Sequence, residues 1–582
     1  MNPPLNFSPD HRVAGVLAPV SAVRSDNDLG CGDTHSLCEF IDWVAEVGFR
    51  VLQVLPINET GGDHSPYNAI SSMALDLTTL WLHPASVPEL LAANFDAIVA
   101  ETDPARLRGG AVDYVAVKAL KWRLLESAFE QFERKHLGRR TVRGRKFRDF
   151  TKSQAWLEGY TLFRALMAHN GGGEQFEEWP VEHRSVAAAR TWMIALDPTE
   201  RARFERRRSF YAYVQWLAWQ QWAGVKAHAE SRGVALMGDI PFGISHCSAD
   251  FFAHPEQFEP GWCGGAPPET IFKDDIFVQK WGQNWGIPVY DWPAMARDEF
   301  RWWKQRAGGL RDLFHTFRID HILGFYRLYS FPWRPSRNKE FLPLTHEQAA
   351  ARTGGRLPGF RPHDDSTPEN RASNRAQGDH LIRLIQTAAL PAVLVAEDLG
   401  VVPEYVRPHL ASLGIAGFKI PQWELLPDGR LIPGRDYNRV SVATYATHDH
   451  EPLAAMYRRW EKAALEERAG MPEAHALAEV ARGEAWKFGE YAGMPPQRRF
   501  DGWNDATHEA LIEALFASNS WIAIVMVTDL LGTADRFNIP GVANATNWTR
   551  RLDHTAAEMR SDLIIAAKMS RVTAMLARTG RT

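Results

Sequence analysis

Eight short stretches of the chain are almost continuously apolar and then break into polar residues. They are VAGVLAPV (13–20), FRVLQVLPI (49–57), VALMGDIPF (234–242), FHTFRID (314–320), AVLVAEDLG (392–400), IAGFKIPQW (415–423), VSVATYATHD (440–449) and WIAIVMVTDLLG (521–532). Continuous apolar runs, unlike alternating ones, predict parallel strands covered on both faces. The polar residues fall at or near the C-terminal ends: Gln53, Asp239, Asp320, Glu397, Asp449 and Asp529. Amphipathic segments such as SLCEFIDWVAEVG (36–48) separate many of the runs and predict helices. Eight parallel strands with chemistry at one end predict an α/β fold of the (β/α)8 TIM-barrel class.

The spacing of the runs is uneven. Residues 1–94 hold the first part of the barrel, and 231–582 hold the remainder. Residues 95–230, between the second and third strands, are too long for a loop and predict a large, mostly helical inserted subdomain. Two excursions leave the C-terminal face, where such a barrel keeps its site. Residues 243–300 are rich in Gly, Pro and Trp, and residues 333–378 are polar and rich in Pro and Arg. The most basic run, ERKHLGRRTVRGRKFRDF (133–150), reads as a solvated face rather than a polyanion site.

Composition narrows the function classes. With 66 Lys and Arg against 70 Asp and Glu the net charge is −4, which supports neither nucleic-acid nor membrane-surface binding. No apolar run is long enough to span a membrane, and the start MNPPLNFSPDHR lacks the features of a secretory signal, so a cytoplasmic location is expected. Four cysteines without a CxxC suggest neither a disulfide framework nor a zinc site. The 22 tryptophans exceed ordinary usage. Their flat faces suit sugar rings as well as a large core.

Asp320, Glu397 and Asp449 end three different runs, with Arg318, His321 and His448 beside them. Any one acid alone is also explained by a salt bridge or a helix cap. Together they suit glycosyl transfer with retention, in which one carboxylate attacks the anomeric carbon and a second carboxyl, roughly 5–5.5 Å away, protonates the leaving oxygen. Arg318 lies two residues before Asp320 on the same side of the strand and favours its charged form. Glu397 follows the apolar AVLVA, where burial favours the protonated form. The acids by themselves fit hydrolysis as well as transfer.

FRIDH (317–321), VAEDLG (395–400) and ATHD (446–449), in this order, resemble the 4-α-glucanotransferases (amylomaltase, or disproportionating enzyme) of the α-amylase superfamily. GVLAPVSAV…LGCGD (15–33), GGDHSPYNAISSMALD (61–76), GDIPFGISHCSADFF (238–252), GAPPE (265–269), WGQNWGIPVYDW (281–292), DLLGTADRFNIPG (529–541) and NATNWTRR (544–551) extend the resemblance over nearly the whole chain. It implies Asp320 as nucleophile, Glu397 as general acid/base and Asp449 as transition-state stabiliser. Arg318 and His448 would flank the cleaved sugar, Tyr67 and Asp239 would lie near donor sugars, and Trp285 would sit in a loop over the cleft. It implies malto-oligosaccharides and α-1,4-glucans as substrates, with no metal and no organic cofactor. The rival readings are an α-glucan hydrolase using the same acids and a glucan-binding protein on an inactive barrel. Three departures, Ile322-Leu323 after the nucleophile's His, INETGGDH (57–64) and the 333–378 excursion, leave the acids untouched. They bear on acceptor-site shape, preferred chain length and product size.

Overall fold

A computed structural model describes residues 7–269, 275–472, 474–540 and 546–581. Parts of the first excursion (270–274) and of the two C-terminal motifs (541–545) lie outside the described residues. Eight parallel strands close into a barrel: Val13–Leu17, Val51–Gln53, Ala235–Ile240, Thr316–Ile319, Val393–Ala396, Ala416–Lys419, Ser441–Ala443 and Ile522–Met526. Each falls within one of the eight apolar runs, and each pairs with its neighbours in sequence, the first closing on the last. The first, third, fourth and eighth strands are buried at every residue, as continuous apolar runs require.

The last strand and the first are also locked at their base by Arg581, whose side chain is fully buried. Its Nη1 donates to the carbonyls of Val13 (2.7 Å) and Trp521 (3.2 Å), and its Nη2 to those of Ser518 (2.8 Å) and Ser520 (2.9 Å). Nε donates to the carbonyl of Phe516.

Between the second and third strands run seven helices, from Ala92–Ala100 to Pro198–Ser231. The last spans 34 residues, capped by Asp197, and packs on helix Thr34–Val47 and on the third strand, so it belongs partly to the barrel wall. Among the described residues no helix is long and apolar enough to cross a membrane.

The two excursions meet in one antiparallel sheet, ordered Gln283–Tyr290, Phe258–Ala266, Leu328–Phe331 and Gly359–Arg361. Residues 333–378 are therefore less of a loop than their polarity implies: they contain the edge strand of this sheet and the start of helix Pro368–Ala389. That helix begins with a Thr367 cap and a first-turn proline, and it packs beside helix Arg301–Leu313. Its first half buries only Asn374 and Gly378, which hides the helical period. Gly378 is dictated by close approach, since a Cβ there would lie 2.3 Å from the Tyr326 ring. A small core of Trp281, Phe331, Trp333 and Phe341 supports the sheet, with Trp333 stacked on Phe341 at 3.8 Å. The tryptophans thus divide: Trp43, Trp222, Trp281 and Trp521 are core, whereas Trp285 is 40% exposed.

Candidate active site

The site is built on the register between the third and fourth strands, which sets Asp239 opposite Arg318. Parallel partners share a face, so the guanidinium lies beside the carboxylate. Arg318 Nη1 donates to both Asp239 oxygens at 2.8 Å, and Nη2 contacts Asp320 Oδ1 at 2.8 Å. One buried cation thus holds two acids. Burial opposes its charge, but Asp239 and Asp320 outweigh that and raise its pKa well above the ordinary arginine value. The two acids differ in access. The Asp239 side chain is fully covered, whereas that of Asp320 is 30% exposed and open to the cleft.

Tyr67 bridges this group to the seventh strand's loop. Its hydroxyl donates to Asp239 Oδ2 at 2.7 Å and lies 3.3 Å from His448 Nδ1, while its ring stacks on His448 at 4.8 Å. His448 Nε2 lies 3.1 Å from Asp449 Oδ2. The strand itself stops at Ala443, and the Thr444 hydroxyl bonds the Ala446 carbonyl and turns the chain, so Asp449 stands on a loop rather than at a strand end. Asn538 donates to Asp449 Oδ1 at 2.6 Å. Burial pushes Asp449 up, yet His448, Asn538 and Arg318 together pull its carboxyl well below the ordinary range.

Glu397 follows the fifth strand directly. It accepts the backbone N–H of His321 (2.8 Å) at one oxygen and that of Leu399 (3.0 Å) at the other. His321 is left-handed, with φ 47°, a strain of roughly 1–2 kcal/mol for a residue with a Cβ. That backbone carries its N–H to Glu397 immediately after Asp320. Burial pushes the Glu397 carboxyl up to about 7; Arg318 and the two N–H donors oppose this, and Asp320 adds to it. Burial also depresses the His321 imidazole to about 4, so it is neutral at pH 7. Trp285 stands edge-on to it at 4.8 Å.

Asp320, Glu397, Asp449, Arg318, Tyr67 and Trp285 line one cleft of about 650 Å³. A second hollow of about 620 Å³ shares Tyr67, Trp285, Asp320 and His321 with it. The two form a groove passing over Asp320. Asp239 and His448 sit beneath its floor and act through Arg318, Tyr67 and Asp449. The arrangement offers one accessible ion-paired carboxylate, one buried carboxyl protonated to about pH 7, and a third acid held ionised by His448 and Asn538.

Comparison with known proteins gives this geometry its family. The profile of glycoside hydrolase family 77, 4-alpha-glucanotransferase, matches residues 18–556. The chain belongs to the 4-alpha-glucanotransferase family. The 4-alpha-glucanotransferase of Chlamydia caviae is 30% identical over 569 residues, covering 95% of this chain and 93% of its own. That of Thermus thermophilus is 30% identical over 531 residues, 88% and 89% of the two chains. The solved amylomaltase of Streptococcus agalactiae superposes with a TM-score of 0.73 at 22% identity, covering 98% of this chain and 99% of that one. As a 4-alpha-glucanotransferase, the protein transfers glucan segments, and hydrolysis is not the favoured reading.

The eight residues expected from sequence all gather here: six line the cleft and two lie under it. Others were not assigned a role. Asn538 and Trp548 stand inside the quoted C-terminal motifs, and their signal was a polar, Asn-bearing run beyond the last strand. His450 also lines the cleft. The Thr447 N–H donates to its Nδ1 at 3.1 Å, and burial depresses it to about 4.

Proposed function

We propose that this cleft carries out retaining transfer of an α-1,4-glucan segment through a covalent glycosyl-enzyme, with malto-oligosaccharides and longer glucans as donors. Asp320 attacks the anomeric carbon. The C1–O bond breaks as Glu397 gives its proton to the departing 4-oxygen, leaving a glycosyl ester on Asp320 and a carboxylate at Glu397. The acceptor's 4-hydroxyl then attacks C1, its proton passes to Glu397, and the ester bond breaks to free Asp320. Two displacements restore the original configuration. Asp449, with His448, supports the positive charge that develops at the ring, and Arg318 offsets the charge on Asp320.

The observation that carries this reading is the separation of the carboxyls into different states within one groove. Asp320 is accessible and ion-paired, while Glu397 is buried and protonated to about pH 7. The second hollow joins the cleft at Asp320, His321 and Trp285, which leaves room for an acceptor beside the donor.

Incubation with maltotriose tests it. Glucose together with maltopentaose and longer chains, at nearly constant reducing ends, is the expected result; glucose and maltose with steadily rising reducing ends would overturn it. The pH profile tests the role of Glu397. Its pKa is raised, so the proton needed for the first step is present below about 7 and lost above it. kcat/KM should fall about tenfold per pH unit on the alkaline side. Glu397→Gln should abolish transfer from maltotriose while still releasing a leaving group, such as fluoride, that needs no protonation. An unshifted alkaline limb in this variant, at near-normal rate, would remove Glu397 from the role.

A further inference from the structure

The sheet made by the two excursions carries a feature that the chemistry at Asp320 does not use. On its strands Leu328–Phe331 and Gly359–Arg361, Tyr329 is the register partner of Phe360. Directly opposed residues of an antiparallel pair project to the same face, and the two rings meet edge to face at 5.2 Å. Phe331, two residues on and on the same face, is fully buried in the small tryptophan core. The aromatic row therefore begins in the core and emerges at Tyr329 and Phe360, which are only partly buried and line the same cleft as Asp320.

Two neighbours keep this emerging pair open and in place. Gly265 is the partner of Tyr329 on its other side and also lines the cleft. A Cβ at Gly265 would lie 1.9 Å from the Gln283 carbonyl oxygen and 2.9 Å from the Phe331 ring, so that position stays without a side chain beside Tyr329. On the far side the Arg327 guanidinium stacks over Phe360 at 3.7 Å. Arg327 is held by Asp365 at 3.1 Å, and Asp365 in turn accepts from Tyr405 (3.1 Å) and Asn374 (3.0 Å). The strand pairing and the Arg327–Asp365 pair thus fix a ring pair that lines the cleft.

Partly exposed aromatic rings held in a carbohydrate cleft match the C–H faces of a pyranose, and a nearby guanidinium matches its hydroxyls. We propose that Tyr329 and Phe360, steadied by Arg327, form a distal stacking subsite for a further glucose residue of the bound glucan and so set the chain length the enzyme favours. This rests on the cleft over Asp320 being the transfer site. The proposal goes beyond that reading because these residues belong to the sheet built from residues 258–361, not to the barrel, and touch none of the three acids.

The test compares kcat/KM for maltotriose through maltoheptaose in the full-length protein, in Phe360→Ala and in Tyr329→Ala. In the unaltered protein kcat/KM should climb with chain length and then level off. Each Ala variant should lose about 3- to 10-fold of the climb for the longer chains relative to maltotriose, the loss appearing in KM. Tyr329→Phe keeps the ring face and should restore the climb. Should Phe360→Ala fold poorly by thermal melting, Phe360→Leu keeps bulk without a flat face and should show the same relative loss. A change by one common factor at every chain length, or no change, would overturn the subsite. Asp320→Asn separates the two claims: if it stays active the cleft assignment falls, and if it is dead while the length profile of the Ala variants is normal, only the subsite falls.

Discussion

Asp320→Asn should lower turnover of maltotriose by roughly 10⁴-fold or more, because the proposed mechanism forms the ester on this carboxylate. The melting temperature should hardly move. Arg318 keeps both of its 2.8 Å bonds to Asp239, and the Asp320 side chain is already 30% exposed, so no buried charge is orphaned. The same assignment predicts a trapped species. In Glu397→Gln, a glucosyl or maltosyl fluoride should load the enzyme, and deacylation should stall for want of a base. Intact-mass analysis should then show one glycosyl adduct, which peptide mapping places on Asp320. Residual Asp320→Asn activity within tenfold of the unaltered protein, or an adduct on Asp449 or Asp239, would redistribute the roles.

The largest stability effect is expected far from the cleft. Arg581→Ala, or ending the chain at Gly580, should cost roughly 3–5 kcal/mol in chemical denaturation. Five backbone carbonyls at the barrel base, those of Val13, Phe516, Ser518, Ser520 and Trp521, accept from this one fully buried guanidinium. Arg12 Nη1 also serves the Ser518 carbonyl (2.9 Å) and the Val13 N–H that of Trp521 (2.8 Å), so the loss falls mainly on the Val13, Phe516 and Ser520 carbonyls, and each buried orphan costs about 1–3 kcal/mol before water enters. Lys supplies a point charge and fewer donors, so Arg581→Lys should recover only part of the loss. A cost below about 1 kcal/mol for Arg581→Ala would mean that water fills the site freely.

The barrel was legible because its strands are covered on both faces, and burial of that kind leaves uninterrupted runs such as Val13–Leu17 and Ile522–Met526. The acids were legible because an apolar run has little reason to end in Asp or Glu. Position alone does not identify chemistry, however. Asp529 stands just beyond the eighth strand, in the short helix Val527–Leu531, and burial also pushes it up to about 7, yet it accepts the Leu453 N–H at the start of a helix and lies outside the cleft. What separates them is the neighbourhood: Arg318 and Asp320 face Glu397, whereas Asp529 is shaped by burial and by the Leu453 N–H.

The accessory sheet was illegible for the opposite reason. Its central strand, FEPGWCGGA, holds a proline and three glycines, a composition that local propensity assigns to a loop. The strand exists because Gly264 and Gly265 let Ile287, Leu328 and Phe331 approach its backbone, a long-range condition absent from any local window. Asn538 was missed similarly. Its value lies in one 2.6 Å bond to a residue 89 positions away.

Closure of the barrel on Val13–Leu17 and Ile522–Met526 also dictates when activity can first arise on the ribosome. The first strand waits for a partner synthesised some five hundred residues later, and the cleft draws on Tyr67 at one extreme and Asn538 and Trp548 at the other. No nascent fragment holds a complete groove. The chain must therefore keep an unpaired barrel edge sheltered until Ile522–Met526 has been made, and the groove is complete only once Asn538 and Trp548 have followed it.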